Sequence, residues 1–130
     1  MILVAADWQQ LSPFIDSQYI EAIKQKNVSN RPTTWVVPFK KDTLPEWIVG
    51  RHKTVAVRIS RHKTVRNLCL AFDGPIVSTS ANPSTCQAAR EIFQLRRYFG
   101  LQLAICRGRV GGEQRPSQII DALTGKLLRG

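Results

Sequence analysis

Thr54-Val55-Ala56-Val57-Arg58-Ile59-Ser60, a run onward to Gly74-Pro75, and then Ile76-Val77-Ser78 form the stretch that decides the fold. Its first part is short and rich in β-branched residues, which predicts a strand over 54–59. From Ser60 the spacing changes. Val65, Leu68, Cys69 and Phe72 recur every three or four residues, so they lie along one face of a helix of about a dozen residues. Ser60 is the expected cap of that helix, and Gly74-Pro75 ends it. Ile76-Val77-Ser78 then reads as a brief strand running into Thr79-Ser80-Ala81-Asn82-Pro83.

The same alternation extends in both directions. Ile2 to Ala6 reads as a buried strand, Asp7 to Leu11 as a short helical stretch, and Asp16 to Lys26 as a helix with Tyr19, Ile20 and Ile23 on one face. A polar loop is expected over 27–32. Thr33 to Val37 reads as a strand closed by Pro38, and Leu44-Pro45-Glu46-Trp47-Ile48 as a turn or single helical turn. Downstream, a helix is expected over 87–99 and a strand over 101–106. A glycine turn at 108–112 follows, then a strand over 117–121 and a turn at Thr124-Gly125 before Leu127-Leu128-Arg129. Strands alternating with helices predict an α/β fold with a mixed sheet. The pentapeptide Arg-His-Lys-Thr-Val stands at both 51–55 and 61–65, but its copies fall in different expected elements and do not mark a repeat.

The 130 residues suit one compact domain. Nineteen Lys and Arg against nine Asp and Glu give a net charge of +10. Residues 1–50 hold five basic and five acidic side chains, so the whole excess sits in 51–130, where fourteen basic groups face four acidic ones. Such a lopsided field suits a polyanion: RNA, DNA or nucleotide phosphates. A basic surface with no dedicated partner is the plainer alternative.

No apolar run approaches the roughly 18 residues that span a bilayer. Ile2 to Ala6 lacks a basic lead and is cut by Asp7, so no signal peptide, anchor or membrane association is expected. Three cysteines, Cys69, Cys86 and Cys106, have no Cys-x-x-Cys spacing. This points to a reducing, cytoplasmic setting, with Cys69 and Cys106 expected as buried small hydrophobes. His52 and His62 have no paired-ligand spacing, so no metal centre built from side chains is expected.

The candidate chemistry lies at strand ends. Pro75 to Asn82 ends a strand in Ser78, Thr79 and Ser80 and then an amide, groups suited to phosphate or carboxylate oxygens. A capping cluster explains the same residues equally well. Arg58, in mid-strand, is either a bidentate clamp for a carboxylate or phosphate or a solvated strand arginine. Thr54 lies four residues earlier, on the same face. No Gly-x-Ser-x-Gly, P-loop or Gly-x-Gly-x-x-Gly is present, and Asp73, Glu91, Glu113 and Asp121 are well separated. An enzyme built from these residues works by positioning and charge stabilisation, which suits nucleotidyl transfer.

Four segments resemble the YrdC-type threonylcarbamoyl-AMP synthase family: Leu44-Pro45-Glu46-Trp47-Ile48, Val55-Ala56-Val57-Arg58-Ile59, Pro75 to Asn82, and Arg115 to Gly125. They occur in the family's order and at its spacing. The resemblance implies a twisted mixed sheet with flanking helices over a single domain, residues 1–130, matching the C-terminal two thirds of the family domain. It also implies a nucleotidyltransferase that makes threonylcarbamoyl-AMP from L-threonine, bicarbonate or CO2, and ATP, with magnesium accompanying the nucleotide. The product serves threonylcarbamoyl-adenosine formation in tRNA.

Position by position, the resemblance implies that Thr54, Ser80, Asn82 and Arg129 contact ATP, while Arg58, Ser78 and Ser117 contact threonine. The implied partners are the proteins that transfer the threonylcarbamoyl group, and tRNA or double-stranded RNA on the basic face. The family's N-terminal segment, with its Lys-x-Arg motif and a further Lys, has no counterpart here, so an N-terminally incomplete form is expected. Ser29-Asn30-Arg31-Pro32 replaces the family's Trp-Pro-Gly-Pro turn, and Ser84-Thr85 replaces its Ser-Gly. A non-catalytic RNA-binding module, or an inactive fragment of the enzyme, is the alternative.

Overall fold

The structure is a computed structural model and describes residues 1–26, 30–113 and 115–130. Ser29 of the replaced turn, and Asn27 and Val28 of the expected loop, lie outside the described residues. The described chain forms two compact units, Met1–Ser78 with Glu113–Gly130, and Thr79–Gly112.

The larger unit is built on strands β1 (Ile2–Ala5), β2 (Thr33–Pro38), β3 (Thr54–Ile59), β4 (Ile76–Ser78), β5 (Gln118–Asp121) and β6 (Leu127–Arg129). They form one sheet in the order β4-β1-β3-β2-β5-β6. β1 runs parallel to β3, and β2 parallel to β5. The β1–β4, β2–β3 and β5–β6 pairs are antiparallel. The expected mixed α/β sheet is therefore present.

Strand alternation divides the core between two faces. Leu3, Ala5, Trp35, Val37, Val55, Val57, Ile120 and Ala122 point to one face. There they pack with Leu11 of the 3-10 turn Trp8–Leu11, with Ile15, and with Ile20 and Ile23 of helix α1 (Ser17–Gln25). Val4 and Ala6 point the other way and pack against Cys69 of helix α3 (Lys63–Phe72). Arg66 of α3 donates to the Ala6 carbonyl, and Gln10 bridges the Ala6 N–H and the Cys69 carbonyl at 2.8 and 3.0 Å. These bonds tie the end of β1 to α3 and to the 3-10 turn. Helix α2 (Glu46–Val49) is the single turn expected after Leu44-Pro45.

Three expectations change. α3 begins at Lys63, with His62 rather than Ser60 in the cap position. Ser60 is held by the sheet instead: its N–H bonds to the Ala5 carbonyl at 3.0 Å, and its hydroxyl accepts from the His62 N–H. In the smaller unit, helix α4 (Ile92–Phe99) starts five residues later than the pattern suggests. The Gln94 side chain turns back to accept from the Glu91 and Arg90 N–H groups, which fixes the start there.

The strand expected over 101–106 does not form. Arg96 draws the carbonyls of Gly100, Leu101 and Leu103 to one guanidinium nitrogen, so they are unavailable to a ladder. Leu101 is 84% exposed, and no strand is described within this unit to pair with it.

Cys106 is accordingly exposed, as is Cys86, whereas Cys69 is fully buried. Burial pushes the Cys69 thiol pKa up. A thiol reagent applied to the native protein is expected to modify Cys86 and Cys106 quickly, and Cys69 only after unfolding. Mass mapping of the adducts would check this, and early labelling of Cys69 would contradict the packing of α3 on β1.

Candidate functional site

The face of the sheet opposite the main core is apolar where α3 packs on β1 and carries polar residues toward β3, β2 and β6. Val4 pairs with Arg58, Thr34 with Ile119, and Ile119 with Arg129. Continuing the β2–β3 register one step beyond Trp35 and Val57 sets Thr34 opposite Arg58. One row therefore crosses all six strands: Ile76, Val4, Arg58, Thr34, Ile119 and Arg129. Strand spacing puts the two arginine backbones about 14 Å apart, a span that two long side chains can close.

Their guanidinium groups interact. The Arg58 pKa is lowered, first by burial and then by the positive charge of Arg129. A half-buried cation facing a second cation is relieved by an anion, which restores both the lost solvation and the charge balance. Carboxylates and phosphates suit the planar guanidinium fork.

Arg129 is braced by Ser117. Its Nε and Nη2 donate to the Ser117 carbonyl at 3.2 and 2.8 Å. A guanidinium has five N–H donors, so three remain for a ligand. The Ser117 hydroxyl lies 2.7 Å from the hydroxyl of Thr34, and both residues are buried. The start of β5 is stitched to β2 by the Gln118 side chain on the Thr33 hydroxyl at 2.8 Å, and by the Gln118 N–H on the Pro32 carbonyl at 3.0 Å.

Of the residues singled out in the sequence, Thr54, Arg58, Ser78, Ser117 and Arg129 share this sheet face. Thr54 is half-buried at the far end of β3, paired with Pro38. Ser78 ends the edge strand β4 opposite Ile2. Ser80 and Asn82 belong to the smaller unit, where Ser80 is exposed. The Asn82 amide donates to the carbonyls of Pro83 and Cys86 at 3.0 and 2.8 Å, which closes the loop on itself. Its Oδ1 atom is buried with no protein partner among the described residues, leaving an acceptor available to a donor. In the sequence Thr34 stands out only as β-branched strand content. Its signal was position: it falls on the face opposite Trp35, where a buried hydroxyl requires a partner.

Thr85 has a φ of 70°, in the left-handed region. A β-branched residue is disfavoured there, whereas glycine adopts it without a Cβ penalty. This is the position at which Thr replaces the glycine of the Ser-Gly pattern. Thr85→Gly is expected to stabilise the smaller unit by about 1 kcal/mol, the strain relieved less the added chain entropy. Thr85→Ala should gain less. Hydrogen exchange across residues 79–112 would check this, and slower exchange in the threonine form would refute the strain.

Comparison with known proteins places the chain in a family. A family model named for Sua5, YciO and YrdC, and described as "Telomere recombination", matches residues 1–130. The threonylcarbamoyl-AMP synthase of Cellvibrio japonicus (strain Ueda107) is 43% identical over 133 aligned positions, covering 99% of this chain and 69% of that protein. The enzyme of the same name from Acinetobacter baylyi is 42% identical, covering 99% of this chain and 71% of its own length. Among solved structures, a double variant of P. abyssi Sua5 superposes with a TM-score of 0.73 at 26% identity. That match covers 93% of this chain and 37% of the Sua5 chain. With the family model spanning every residue and relatives above 40% identity along nearly all of the chain, this protein belongs to the Sua5/YciO/YrdC family.

Proposed function

We propose that the chain acts as a threonylcarbamoyl-AMP synthase, joining L-threonine, bicarbonate or CO2, and ATP into threonylcarbamoyl-AMP with release of pyrophosphate. The observation that carries this reading is the row holding Arg58 and Arg129, two interacting guanidinium groups on one half-buried sheet face in a chain whose relatives bear that enzyme's name. In this reading Arg58 takes the threonine carboxylate, and Ser78 and Ser117 contact the rest of the amino acid. Thr54, Ser80, Asn82 and Arg129 contact ATP.

Magnesium arrives with ATP and is held by phosphate oxygens and water. Among the described residues, no group of three or more His, Cys, Asp or Glu is set to hold an ion. The reaction needs no side-chain proton relay under this reading. The site lines up the N-carboxylate (carbamate) oxygen of threonine with the α-phosphorus, whose bond to the pyrophosphate oxygen breaks, and neutralises the charge that builds up there.

The product serves threonylcarbamoyl-adenosine formation in tRNA and passes to the proteins that transfer the group. A cytoplasmic setting follows from these substrates, and no described helix is long and apolar enough to cross a membrane. The basic excess of residues 51–130 suits tRNA or double-stranded RNA as a partner. Pyrophosphate release that requires both L-threonine and bicarbonate is the expected result. Its absence, together with RNA binding that weakens steeply with salt, would instead support a non-catalytic RNA-binding module.

A further inference from the structure

We propose that Thr34 is a positioning residue, holding the Ser117 hydroxyl so that its proton is directed to the threonine subsite. This rests on the reading that Ser117 faces threonine. The hydroxyls of Thr34 and Ser117 are 2.7 Å apart, on residues 0% and 4% exposed. Each hydroxyl has one proton and two lone pairs, so one proton occupies the contact and one hydroxyl is left to donate elsewhere. If Ser117 donated to Thr34, it could only accept from a ligand. If Thr34 donates, the Ser117 proton is free for an anionic acceptor.

Arg58 and Arg129 on the same face favour an anion there, which selects the second arrangement. Burial keeps water from substituting for Thr34. The Ser117 carbonyl is fixed separately by Arg129, so Thr34 acts on the hydroxyl alone.

Two ligand affinities measured separately, by calorimetry on the whole chain, test the idea. The wild type is expected to bind L-threonine. Thr34→Val keeps the shape and loses the donor, so threonine affinity should fall about tenfold. ATP affinity should stay within about twofold, because the Arg129 contact to the Ser117 carbonyl is untouched. Thr34→Ser should restore threonine binding. Ser117→Ala reaches the same hydroxyl pair from the other side, so its loss should be no smaller than that of Thr34→Val. It also serves as the test if the valine variant does not fold.

Unchanged threonine affinity in Thr34→Val overturns the proposal while leaving the synthase reading in place; unchanged affinity in Ser117→Ala also overturns it and removes Ser117 from the threonine contacts. Equal losses in Thr34→Val and Thr34→Ser, or parallel losses for threonine and ATP, overturn it in favour of packing. A wild type that binds no L-threonine removes Ser117 from a threonine site, and the synthase reading falls with the proposal.

Discussion

Arg58→Lys is expected to raise the L-threonine concentration needed for half-saturation roughly thirtyfold, the equivalent of about 2 kcal/mol for a charged hydrogen-bonded contact. Lysine keeps the charge, so a purely long-range role for Arg58 would leave threonine binding nearly unchanged. What it loses is the planar fork that meets both carboxylate oxygens at once. Lysine is also more strongly hydrated, and this position is half-buried, so the substitution adds a desolvation cost. Easing of the repulsion with Arg129 works in the opposite direction, but an ammonium at the same place still faces that guanidinium. Threonine titrations of the two forms decide the matter, and an unchanged midpoint would remove Arg58 from the site.

Leu11→Ala is expected to produce the largest loss of stability among single core truncations in the 3-10 turn. Leu11 is 0% exposed and joins the turn to the main core cluster beside Ile15, Trp35 and Val37. Removing its side chain costs transfer energy plus an unfilled cavity, about 3 kcal/mol. In a chain of this size that corresponds to a fall in melting temperature of about 10 °C. Phe72→Ala is the control. Phe72 lies at the end of α3 and is 69% exposed, so truncating it should change stability by no more than about 0.5 kcal/mol. Equal effects of the two substitutions would mean that the helix layer is not seated as described.

Phe72 also shows where pattern and structure part. Val65, Leu68, Cys69 and Phe72 form one apolar stripe in the sequence, and the stripe does predict a helix. Only Cys69 is fully buried, against Val4 and Ala6; Val65 packs on the same cluster half-buried, while Leu68 and Phe72 remain exposed. Helical period is a property of the segment itself, whereas burial depends on what lies opposite. Ser60 makes the same point: its hydroxyl chemistry suits a cap, but its backbone is already committed to β1.

Local pattern set the individual elements, since alternation, β-branched content and helix stops act within a few residues. β1, β2, β3, β4 and the single turn α2 stand close to where the pattern puts them. It also determined that Thr54 and Arg58 share a face, because a strand's period of two needs no partner. Tertiary structure alone decided which strands are neighbours: β1 beside β3, and β2 beside β5, are pairings across long separations. It therefore decided that Arg58 faces Arg129 and that Thr34 meets Ser117, 83 residues away. It also decided that residues 101–106 form no strand, with Cys106 left exposed. A strand or a buried hydroxyl pair exists only when both partners are present, and the second partner lies beyond the reach of any local pattern.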